Sequence, residues 1–334
     1  MLLWWLCPII IVLSLLLTRE LRRYALANSM IDIPNHRSSH SVPTPRGGGV
    51  AIVLTFLAVL PFIGLAGVSS WSSVWALGGT GLLVAALGFL DDHGHIAARW
   101  RLLGHFSAAI WGVYWSGGMP AVSVLGGVLD LGWVGSLVCV VYIVWMLNLY
   151  NFMDGIDGLA SVEAICVCFG GGLLYVVVGL PTAAITPALL ACSVIGFIYW
   201  NFPPARIFMG DAGSGFLGVT FGLLALQAAW VNPHLFWSWL ILPAVFIVDA
   251  TVTLLRRLGR GEKVYEAHRS HAYQHAARKH SSHFKVTLAV GAINLCWLLP
   301  IAVIAGLGLV DGLVAVCVAY LPLIGVSLKY NAGQ

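Results

Sequence analysis

Acidic side chains interrupt an otherwise apolar chain at a few places, and each place adjoins an apolar run long enough to cross a membrane. These places are Asp91-Asp92, the segment Asn151–Gly158 with Asp154 and Asp157, the segment Phe208–Ser214 with Asp211, and the single residue Asp249. An Asp at the centre of a membrane-spanning helix costs about 2.5–3.5 kcal/mol on insertion scales. Ionisable groups at that depth usually serve a function, so the segments predict a metal site at a membrane surface.

The residue types in these segments favour phosphoryl transfer. Carboxylate and amide oxygens suit Mg²⁺ or Mn²⁺, and Mg²⁺ usually takes one or two carboxylates together with substrate phosphates. Such a metal, with Arg or Lys beside it, stabilises charge while a bond to phosphorus is exchanged. The Gly-rich turn over 210–213 would let backbone amides approach an anion closely. As structural alternatives, Asp91-Asp92 could cap a helix end, and Asp154 and Asp157 could belong to ordinary turns.

The composition indicates the class of protein. Of 334 residues, 60% are apolar and 9% are charged, whereas about a quarter of the residues of a water-soluble domain are charged. Mean hydropathy is +0.92. The sequence therefore predicts an all-α polytopic membrane protein, built as one integral membrane domain over 1–334. Apolar runs of spanning length fall at 2–17, 48–68, 74–90, 102–117, 131–149, 158–179, 184–201, 213–231, 236–255, 284–307 and 311–328.

The basic residues indicate an orientation. With about eleven spans and the N-terminus outside, all 17 Lys and Arg fall on one side, which the positive-inside rule assigns to the cytoplasm. The C-terminus is then cytoplasmic, as are loops near 18–47, 91–101, 148–158, 201–214 and 256–283. The acidic segments emerge together on this face, which predicts one cytoplasmic-face site. The 7 Cys lie in the predicted spans and indicate neither disulfides nor a zinc site.

The loop near 256–283 is rich in histidine. His268, His271 and His275 would share one face if this loop were helical, which would also allow a zinc site. Because neither a Cys nor a convincing fourth ligand accompanies them in the sequence, contact with a sugar diphosphate is favoured over zinc. Arg269 is the better candidate for a substrate phosphate. Asp249, inside a predicted span, is interpreted as a structural partner of a polar neighbour.

Five motifs follow one another along the chain. They are Pro43-Thr-Pro-Arg-Gly-Gly-Gly49, Asp91-Asp92, Asn148-x-x-Asn151-x-x-Asp154-Gly-Ile-Asp157-Gly, Phe208-Met-Gly-Asp211 and the His-rich loop. In these motifs the chain resembles the polyprenyl-phosphate N-acetylhexosamine-1-phosphate transferases, the superfamily of MraY-like and WecA-like membrane enzymes. The resemblance extends over nearly the whole chain.

This resemblance implies a reaction and a set of roles. Enzymes of the family move a sugar-1-phosphate from a UDP-sugar to a polyprenyl phosphate and release UMP. The bacterial members imply undecaprenyl phosphate as acceptor and the bacterial inner membrane as location. By motif match, Asp211 would bind Mg²⁺ with Asn151 nearby, Asp157 would read the uracil edge, and Phe208 would stack on the uracil ring. The catalytic candidates are Asp91, Asp92 and Asp154, and the further substrate-binding candidates are Arg46, Asn148, His268, Arg269 and His271.

Two routes stay open for Asp91 and Asp92. One Asp could deprotonate or orient the lipid phosphate for direct attack on the β-phosphorus of the donor, or could attack first as a nucleophile. Direct attack through Asp91 is favoured, because an ionised lipid phosphate is already nucleophilic and mainly needs positioning. The family often has a Lys soon after this pair, and here His95, Arg99 and Arg101 are the available cations.

The His-rich loop also bears on the donor. Segment 266–275 departs from the triple-His run of the peptidoglycan branch, which argues against a peptidoglycan precursor as donor. Together with segment 31–40, it looks more like the branch that initiates O-antigen, lipopolysaccharide or related surface polysaccharides. The donor is then expected to be a UDP-N-acetylhexosamine or its 6-deoxy relative.

Other classes of function are less compatible with the motifs. A transporter would usually place charged residues near the bilayer midplane on broken helices, whereas here they gather at one face. A CDP-alcohol phosphotransferase or a prenyltransferase would share Asp-rich motifs and Mg²⁺, but not this Asn/Asp pattern followed by Phe-x-Gly-Asp. No nucleic acid partner is expected. The oligomeric state is left open, with a homodimer as one option.

Overall fold

A computed structural model describes residues 3–34, 39–40, 42–94, 96–263 and 268–334, and these residues are mostly helical. The helices are α1 (Leu6–Ala27), α2 (Val50–Leu65), α3 (Trp71–His93), α4 (Ala98–Trp115), α5 (Gly132–Met153), α6 (Leu159–Val177), α7 (Ile185–Asn201), α8 (Asp211–Val231), α9 (Pro233–Ile241), α10 (Ala244–Gly259), α11 (Ala272–His280), α12 (His283–Gly306) and α13 (Gly312–Lys329). Helix α12 contains one π turn, at Asn294–Leu298.

The apolar runs of the sequence coincide with these helices. Of the described helices, 6 are long and apolar enough to cross a membrane, namely α3, α5, α6, α8, α12 and α13, and the bent pair α9–α10 makes a seventh candidate. Helices α2 and α7 are apolar but shorter, and α1 and α4 occupy the remaining predicted runs. The predicted helical, multi-pass class is therefore confirmed, whereas the number of eleven spans and their orientation stay predictions.

The run at 236–255 is not one straight helix. The chain bends by 67° between α9 and α10. Pro243 lies at the break, and a proline within a helix removes a backbone N–H and clashes with the carbonyl group four residues earlier. Helix α9 therefore ends at Ile241 and a new helix begins at Ala244. The prediction of a single continuous span was wrong in this detail.

Two short hairpins depart from the all-α prediction. Strand β1 (Ile31–Asp32) pairs antiparallel with β2 (Thr44–Pro45), with Ile31 opposite Pro45. Strand β3 (Val122–Val124) pairs in the same way with β4 (Gly127–Leu129), with Val122 opposite Leu129. Strands this short carry no hydrophobic periodicity that a sequence reading could detect. The first hairpin matters for function because it leads directly into Arg46.

The loop near 256–283 contains a helix that begins later than the histidine pattern suggested. Helix α11 starts at Ala272, and the carboxylate of Asp249 in α10 accepts the backbone N–H groups of Ala272 and Tyr273, each at 2.9 Å. These are two of the donors that a helix N-terminus leaves unsatisfied, so Asp249 caps α11 from another helix. Of the three histidines that would share a face in a helical loop, His275 alone lies in α11, so the condition for that shared face is not met.

Helix α8 is the most buried of the spanning helices and packs between α3 and α5. Glycines let the backbones meet. A Cβ atom on Gly88 of α3 would lie 2.5 Å from the nitrogen of Ala212, and one on Gly218 of α8 would lie 2.4 Å from the carbonyl oxygen of Met146. Small residues commonly let membrane helices approach this closely. These contacts set the C-terminal ends of α3 and α5 beside the N-terminus of α8.

We expect Gly88→Ala to lower the melting temperature, because the added methyl group would overlap the backbone of α8. The matched control is Gly78→Ala in the same helix, where an added Cβ would lie 3.6 Å from its nearest neighbour, on Leu60. Alanine favours a helix over glycine by about 1 kcal/mol, so the control should melt at or above the wild-type temperature. Tryptophan fluorescence in detergent measures both transitions, and equal melting of the two variants would contradict the packing argument.

Candidate active site

The acidic segments meet in a cavity of about 400 Å³ at the ends of α3, α5 and α8. Most of the candidate residues line it, namely Arg46, Asp92, Asn151, Asp154, Asp157, Phe208, Asp211 and His268. The hairpin β1–β2 contributes one wall through Asp32. Segments that lie far apart in the sequence are thus brought into one space, while the role of each residue there stays a prediction.

Asp92 is buried at the bottom of this cavity. Its Oδ1 atom accepts the backbone N–H of Asp211 at 3.4 Å, and the Nε atom of Arg46 lies 3.9 Å from the same oxygen. Arg46 also donates from Nη2 to the backbone carbonyl of Asp92 at 2.6 Å. The other oxygen, Oδ2, is buried and has no hydrogen-bond partner in the described part of the chain. A buried carboxylate oxygen without a partner is costly, which makes this atom a candidate for contact with a ligand.

Asp211 is held by the motif of α5. The side-chain amide of Asn151 donates to Asp211 Oδ1 at 2.9 Å and to Ser214 Oγ at 3.0 Å. Asp211 is the first residue of α8, and Gly210 before it has a φ of 78°, which lets the chain turn sharply into the helix. The amide therefore fixes one oxygen of Asp211 and leaves the carboxylate at the edge of the cavity.

Asp91 faces a different space from Asp92. A small cleft lies between α3, α4, α5 and α8 and is lined by Asp91, Asn148 and Arg101, and it shares Asn151 and Asp211 with the main cavity. Arg101 forms a short ion pair with Asp91, and its Nη1 atom also lies 3.6 Å from Asp211 Oδ2. Both Asp91 oxygens are engaged by protein groups, because the N–H of Ile96 donates to Oδ1 at 2.8 Å.

Among the described cations that follow Asp92, Arg101 is the one that contacts Asp91 and Asp211. Arg99 is exposed and lies over the ring of Trp100, at 5.7 Å from its centroid, and His95 lies outside the described residues. The side chain of Asn148 donates to the carbonyl of Val144 in its own helix at 2.7 Å. Arg101 belongs to the next helix, α4, and its role toward a lipid phosphate stays a prediction.

The pKa values of the two acidic residues after α5 are shifted in opposite directions. The pKa of Asp154 lies well above its usual value, because burial and then the nearby carboxylates of Asp211 and Asp92 disfavour another negative charge. Burial alone would also raise the pKa of Asp157, but hydrogen bonds from His283 and from the N–H of Ala205 outweigh it. The pKa of Asp157 is therefore lowered, and this side chain is charged at neutral pH.

Asp157 joins three parts of the chain. Its Oδ2 atom accepts the N–H of Ala205 at 3.1 Å, and its Oδ1 atom lies 3.2 Å from Nδ1 of His283. The hydroxyl of Thr287 donates to its backbone carbonyl at 3.0 Å. Both carboxylate oxygens thus contact protein groups, so Asp157 supports the wall of the cavity. Its reading of a uracil edge stays a prediction, and the sequence did not single out His283 as its partner.

The Gly-rich end of the Pro43–Gly49 motif lies against the start of α8. The carbonyl of Phe208 accepts the N–H of Gly48 at 2.9 Å, and the carbonyl of Met209 accepts that of Gly49 at 2.8 Å. A Cβ atom on Gly49 would lie 2.5 Å from the Cα atom of Gly213. Only glycine allows this approach, which carries the neighbouring Arg46 to Asp92. The ring of Phe208 itself packs edge-on against His40, with 4.8 Å between centroids.

The histidine loop divides into residues inside and outside the cavity. His268 lines the cavity, and so does Gln274, which the sequence reading did not select. His271 is buried beside Asp249, with 3.4 Å between Nδ1 and Oδ1, and stacks on His268 at 4.9 Å between centroids. Arg269 is exposed. The structure therefore does not place His271 or Arg269 in the cavity, and residues 264–267 lie outside the described part of the loop.

The chemistry of the donor set is compatible with a divalent cation. Within the described ranges no group of three or more His, Cys, Asp and Glu side chains is arranged to hold a metal. However, Asp92, Asp154 and Asp211 line one cavity, and one oxygen of Asp92 is buried without a partner. Mg²⁺ needs only one or two protein carboxylates when substrate phosphates and water complete its shell. These residues therefore fit a magnesium ion that binds together with a diphosphate.

The fold and the cavity define a class, that of helical membrane proteins with an acidic cavity at the ends of several helices. Comparison with known proteins identifies the family. Residues 74–229, from α3 to α8, match glycosyl transferase family 4. The phospho-N-acetylmuramoyl-pentapeptide-transferase of Chlamydia muridarum is 34% identical over 249 residues, which cover 66% of this chain and 70% of that protein. The chain therefore belongs to this family, and the resemblance inferred from its motifs is confirmed.

Other relatives carry different substrate names. The probable undecaprenyl-phosphate N-acetylglucosaminyl 1-phosphate transferase of Bacillus subtilis is 29% identical over 294 residues, or 84% of this chain and 78% of that protein. The decaprenyl-phosphate N-acetylglucosaminephosphotransferase of Mycolicibacterium smegmatis is 28% identical over 351 residues, or 92% and 85%. All three relatives are named as transferases of a sugar phosphate; two are named for N-acetylglucosamine and the third for an N-acetylmuramoyl-pentapeptide.

The Asp91–Arg101 pair leads to a stability prediction. Arg101→Met should lower the melting temperature by a few degrees, because Asp91, whose side chain is 7% exposed, would lose its cation. Asp91→Asn alone should also destabilise the protein. In the double variant the decrease in melting temperature should be smaller than the sum of the decreases in the two single variants. The reason is that the second substitution removes a group that has already lost its partner. Strictly additive losses would mean that the pair does not stabilise the fold.

Proposed function

We propose that this protein transfers an N-acetylhexosamine-1-phosphate, or its 6-deoxy relative, from a UDP-sugar to undecaprenyl phosphate and releases UMP. The main support for this proposal is one cavity in a chain of glycosyl transferase family 4. Its lining includes Asp92, Asn151, Asp154, Asp211 and Arg46. The relatives from Bacillus subtilis and Chlamydia muridarum act, by their names, on N-acetylated amino sugars. Location in the bacterial inner membrane, with the site on the cytoplasmic face, belongs to the same proposal.

The two spaces at the site differ in size, because the main cavity has a volume of about 400 Å³ and the cleft beside Arg101 has one of about 20 Å³, enough for about one water molecule. The main cavity holds most of the acidic and aromatic candidates, and we assign the UDP-sugar to it. The smaller cleft lies between four helices and contains Arg101, so we assign the lipid phosphate to this side. Asn151 and Asp211 line both spaces, so in this proposal the diphosphate and the acceptor phosphate lie on either side of them. The apolar tail of the acceptor would then stay in the bilayer.

Direct attack accounts for the chemistry with few protein groups. An oxygen of the ionised lipid phosphate forms a bond to the β-phosphorus of the donor, and the bond from that phosphorus to the bridging oxygen breaks, so UMP leaves. Asp91 holds Arg101, and the guanidinium group orients the lipid phosphate and offsets its charge. Asp91 therefore acts through Arg101, whereas Asp92, with its unpartnered oxygen, faces the donor side.

A bound Mg²⁺ would offset charge on the donor diphosphate and make UMP a better leaving group. Asp211 would hold it, with Asn151 fixing the orientation of that carboxylate and Asp92 as a further ligand. Arg46, which contacts Asp92, is the cation on the donor side of the cavity. Mn²⁺ would serve in the same position.

The donor belongs, in this proposal, to the branch that begins O-antigen or related surface polysaccharides. The support is the histidine loop, in which His268 reaches the cavity while His271 is turned toward Asp249. Of the three histidines at 268, 271 and 275, only His268 lines the part of this cavity formed by described residues, which we assign to the donor.

A transfer assay tests the proposal directly. Purified protein is incubated with undecaprenyl phosphate, Mg²⁺ and a panel of radiolabelled UDP-N-acetylhexosamines, and both lipid-phase label and UMP are measured. We expect Mg²⁺-dependent transfer from one or a few of these donors. Intact protein that transfers from none of them would reject the proposed substrates.

Asp211→Asn should reduce transfer by about a hundredfold or more, because a charged group at the developing phosphate charge is lost without a change of size. The Mg²⁺ concentration needed for half-maximal residual rate should also rise. The matched control is Asp130→Asn, since Asp130 lies in an exposed loop. Full activity of the Asp211 variant at low Mg²⁺ would rule out its role as a metal ligand.

The division of the Asp pair predicts different kinetic effects. Asp91→Asn should raise KM for undecaprenyl phosphate by about tenfold to a hundredfold, the effect of weakening one charge-assisted hydrogen bond, with little change in KM for the UDP-sugar. Asp92→Asn should mainly lower kcat. Steady-state kinetics with each substrate varied in turn distinguishes the two, and identical effects of both substitutions would contradict the assignment of separate spaces.

A further inference from the structure

A second cavity lies on the far side of α11 from the candidate active site. It has a volume of about 500 Å³ and is bounded by α10, α11, α12 and α13. Its body is apolar, with Val286, Val290 and Ile293 on one face of α12 and Leu323 and Val326 on α13. This volume lies within the range of about 300–1,000 Å³ that is usual for small-molecule sites. We call this cavity the α12–α13 groove.

The groove is cationic at one end. Lys285 in the first turn of α12, Lys329 at the end of α13 and His280 at the end of α11 all line it. Neither lysine forms an ion pair with a carboxylate in the described part of the chain. The one acidic lining residue, Asp249, is already used by the N–H groups of Ala272 and Tyr273.

The groove is separate from the candidate active site. Among the described residues, it shares no lining residue with the main cavity or with the cleft that contains Arg101. Two consecutive residues of α11 mark the division, because Tyr273 lines the groove and Gln274 lines the main cavity. A phosphate held by Lys285 and Lys329 would therefore not be the phosphate that reacts.

We propose that the α12–α13 groove binds an anionic phospholipid of the surrounding bilayer. An acyl chain would lie against the apolar face of α12, and the phosphodiester would lie between Lys285 and Lys329. Charge complementarity and position support this occupant, because lysines at the ends of spanning helices lie at the level of lipid headgroups and attract anionic ones. The groove also opens outward, since Val326, which lines it, is 41% exposed and Ala289 on the opposite wall is exposed as well.

An occupied groove would support the active site through α11. The hydroxyl of Tyr273 donates to the carbonyl of Phe152 at 3.0 Å, between Asn151 and Asp154 in the chain. The same tyrosine lines the groove, and Gln274 beside it lines the main cavity. A lipid that fills the groove would keep α11 packed in this position.

Lipid binding is measured first without any substrate, so that its outcome does not depend on the proposed reaction. The protein in detergent is titrated with phosphatidylglycerol or with phosphatidylcholine of the same acyl chains, and native mass spectrometry counts bound lipids. We expect one phosphatidylglycerol molecule to bind saturably and phosphatidylcholine to bind with lower affinity. Lys285→Gln/Lys329→Gln should weaken phosphatidylglycerol binding by about 25-fold, at about fivefold per lysine.

Two further variants complete the test. Arg19→Gln/Arg23→Gln removes two cations from the exposed side of α1 and should leave phosphatidylglycerol binding unchanged. Ala289→Trp would fill the apolar part of the groove and should displace both lipids. The proposal is overturned if the lysine variant retains the wild-type preference, or if undecaprenyl phosphate displaces the bound phosphatidylglycerol one for one.

Discussion

The direct backbone contact of α8 with its neighbours is the constraint on which the site depends. A side chain cannot be accommodated between Gly88 and Ala212, or between Gly49 and Gly213. In a bilayer, apolar surface gains little by leaving lipid, so close packing and hydrogen bonds must hold the helices together. The resulting contact brings Asp92 to the start of α8 and carries Arg46 to Asp92. A separation of one ångström here would pull apart groups that now lie within hydrogen-bonding range.

Much of this arrangement could be predicted from the sequence, because charged residues are rare in the chain and each one carries information. The apolar runs located the helices. Because the acidic segments follow every second run, they were expected at the same face of the membrane. Adjacent residues of a helix do not face the same side, so Asp91 and Asp92 are expected to line different spaces. The motifs supplied the family, which the comparisons confirmed, and the family supplied the expected reaction.

Contacts between distant segments could not be predicted in the same way. The pairing of Asp91 with Arg101 depends on how α4 turns back along α3, and that of Asp157 with His283 depends on where α12 begins. Neither is encoded in a local pattern. The start of helix α11 could not be located from the sequence because the helix is short and its N-terminus is capped by Asp249 of another helix. For the same reason His271, which lies just before that helix, was assigned to the substrate although it is turned toward Asp249.

The cap that Asp249 places on α11 also bears on how sequences of this family should be compared. The loop between α10 and α11 begins where α10 ends. Its other end is held by the carboxylate of Asp249, which belongs to α10 as well. Loop closure costs little more when a loop lengthens, so insertions and deletions between residues 260 and 270 need not move α11. An alignment of relatives should therefore place its gaps in this interval and keep a hydrogen-bond acceptor at the position of Asp249. Loop length would then vary between lineages without disturbing the wall of the active site.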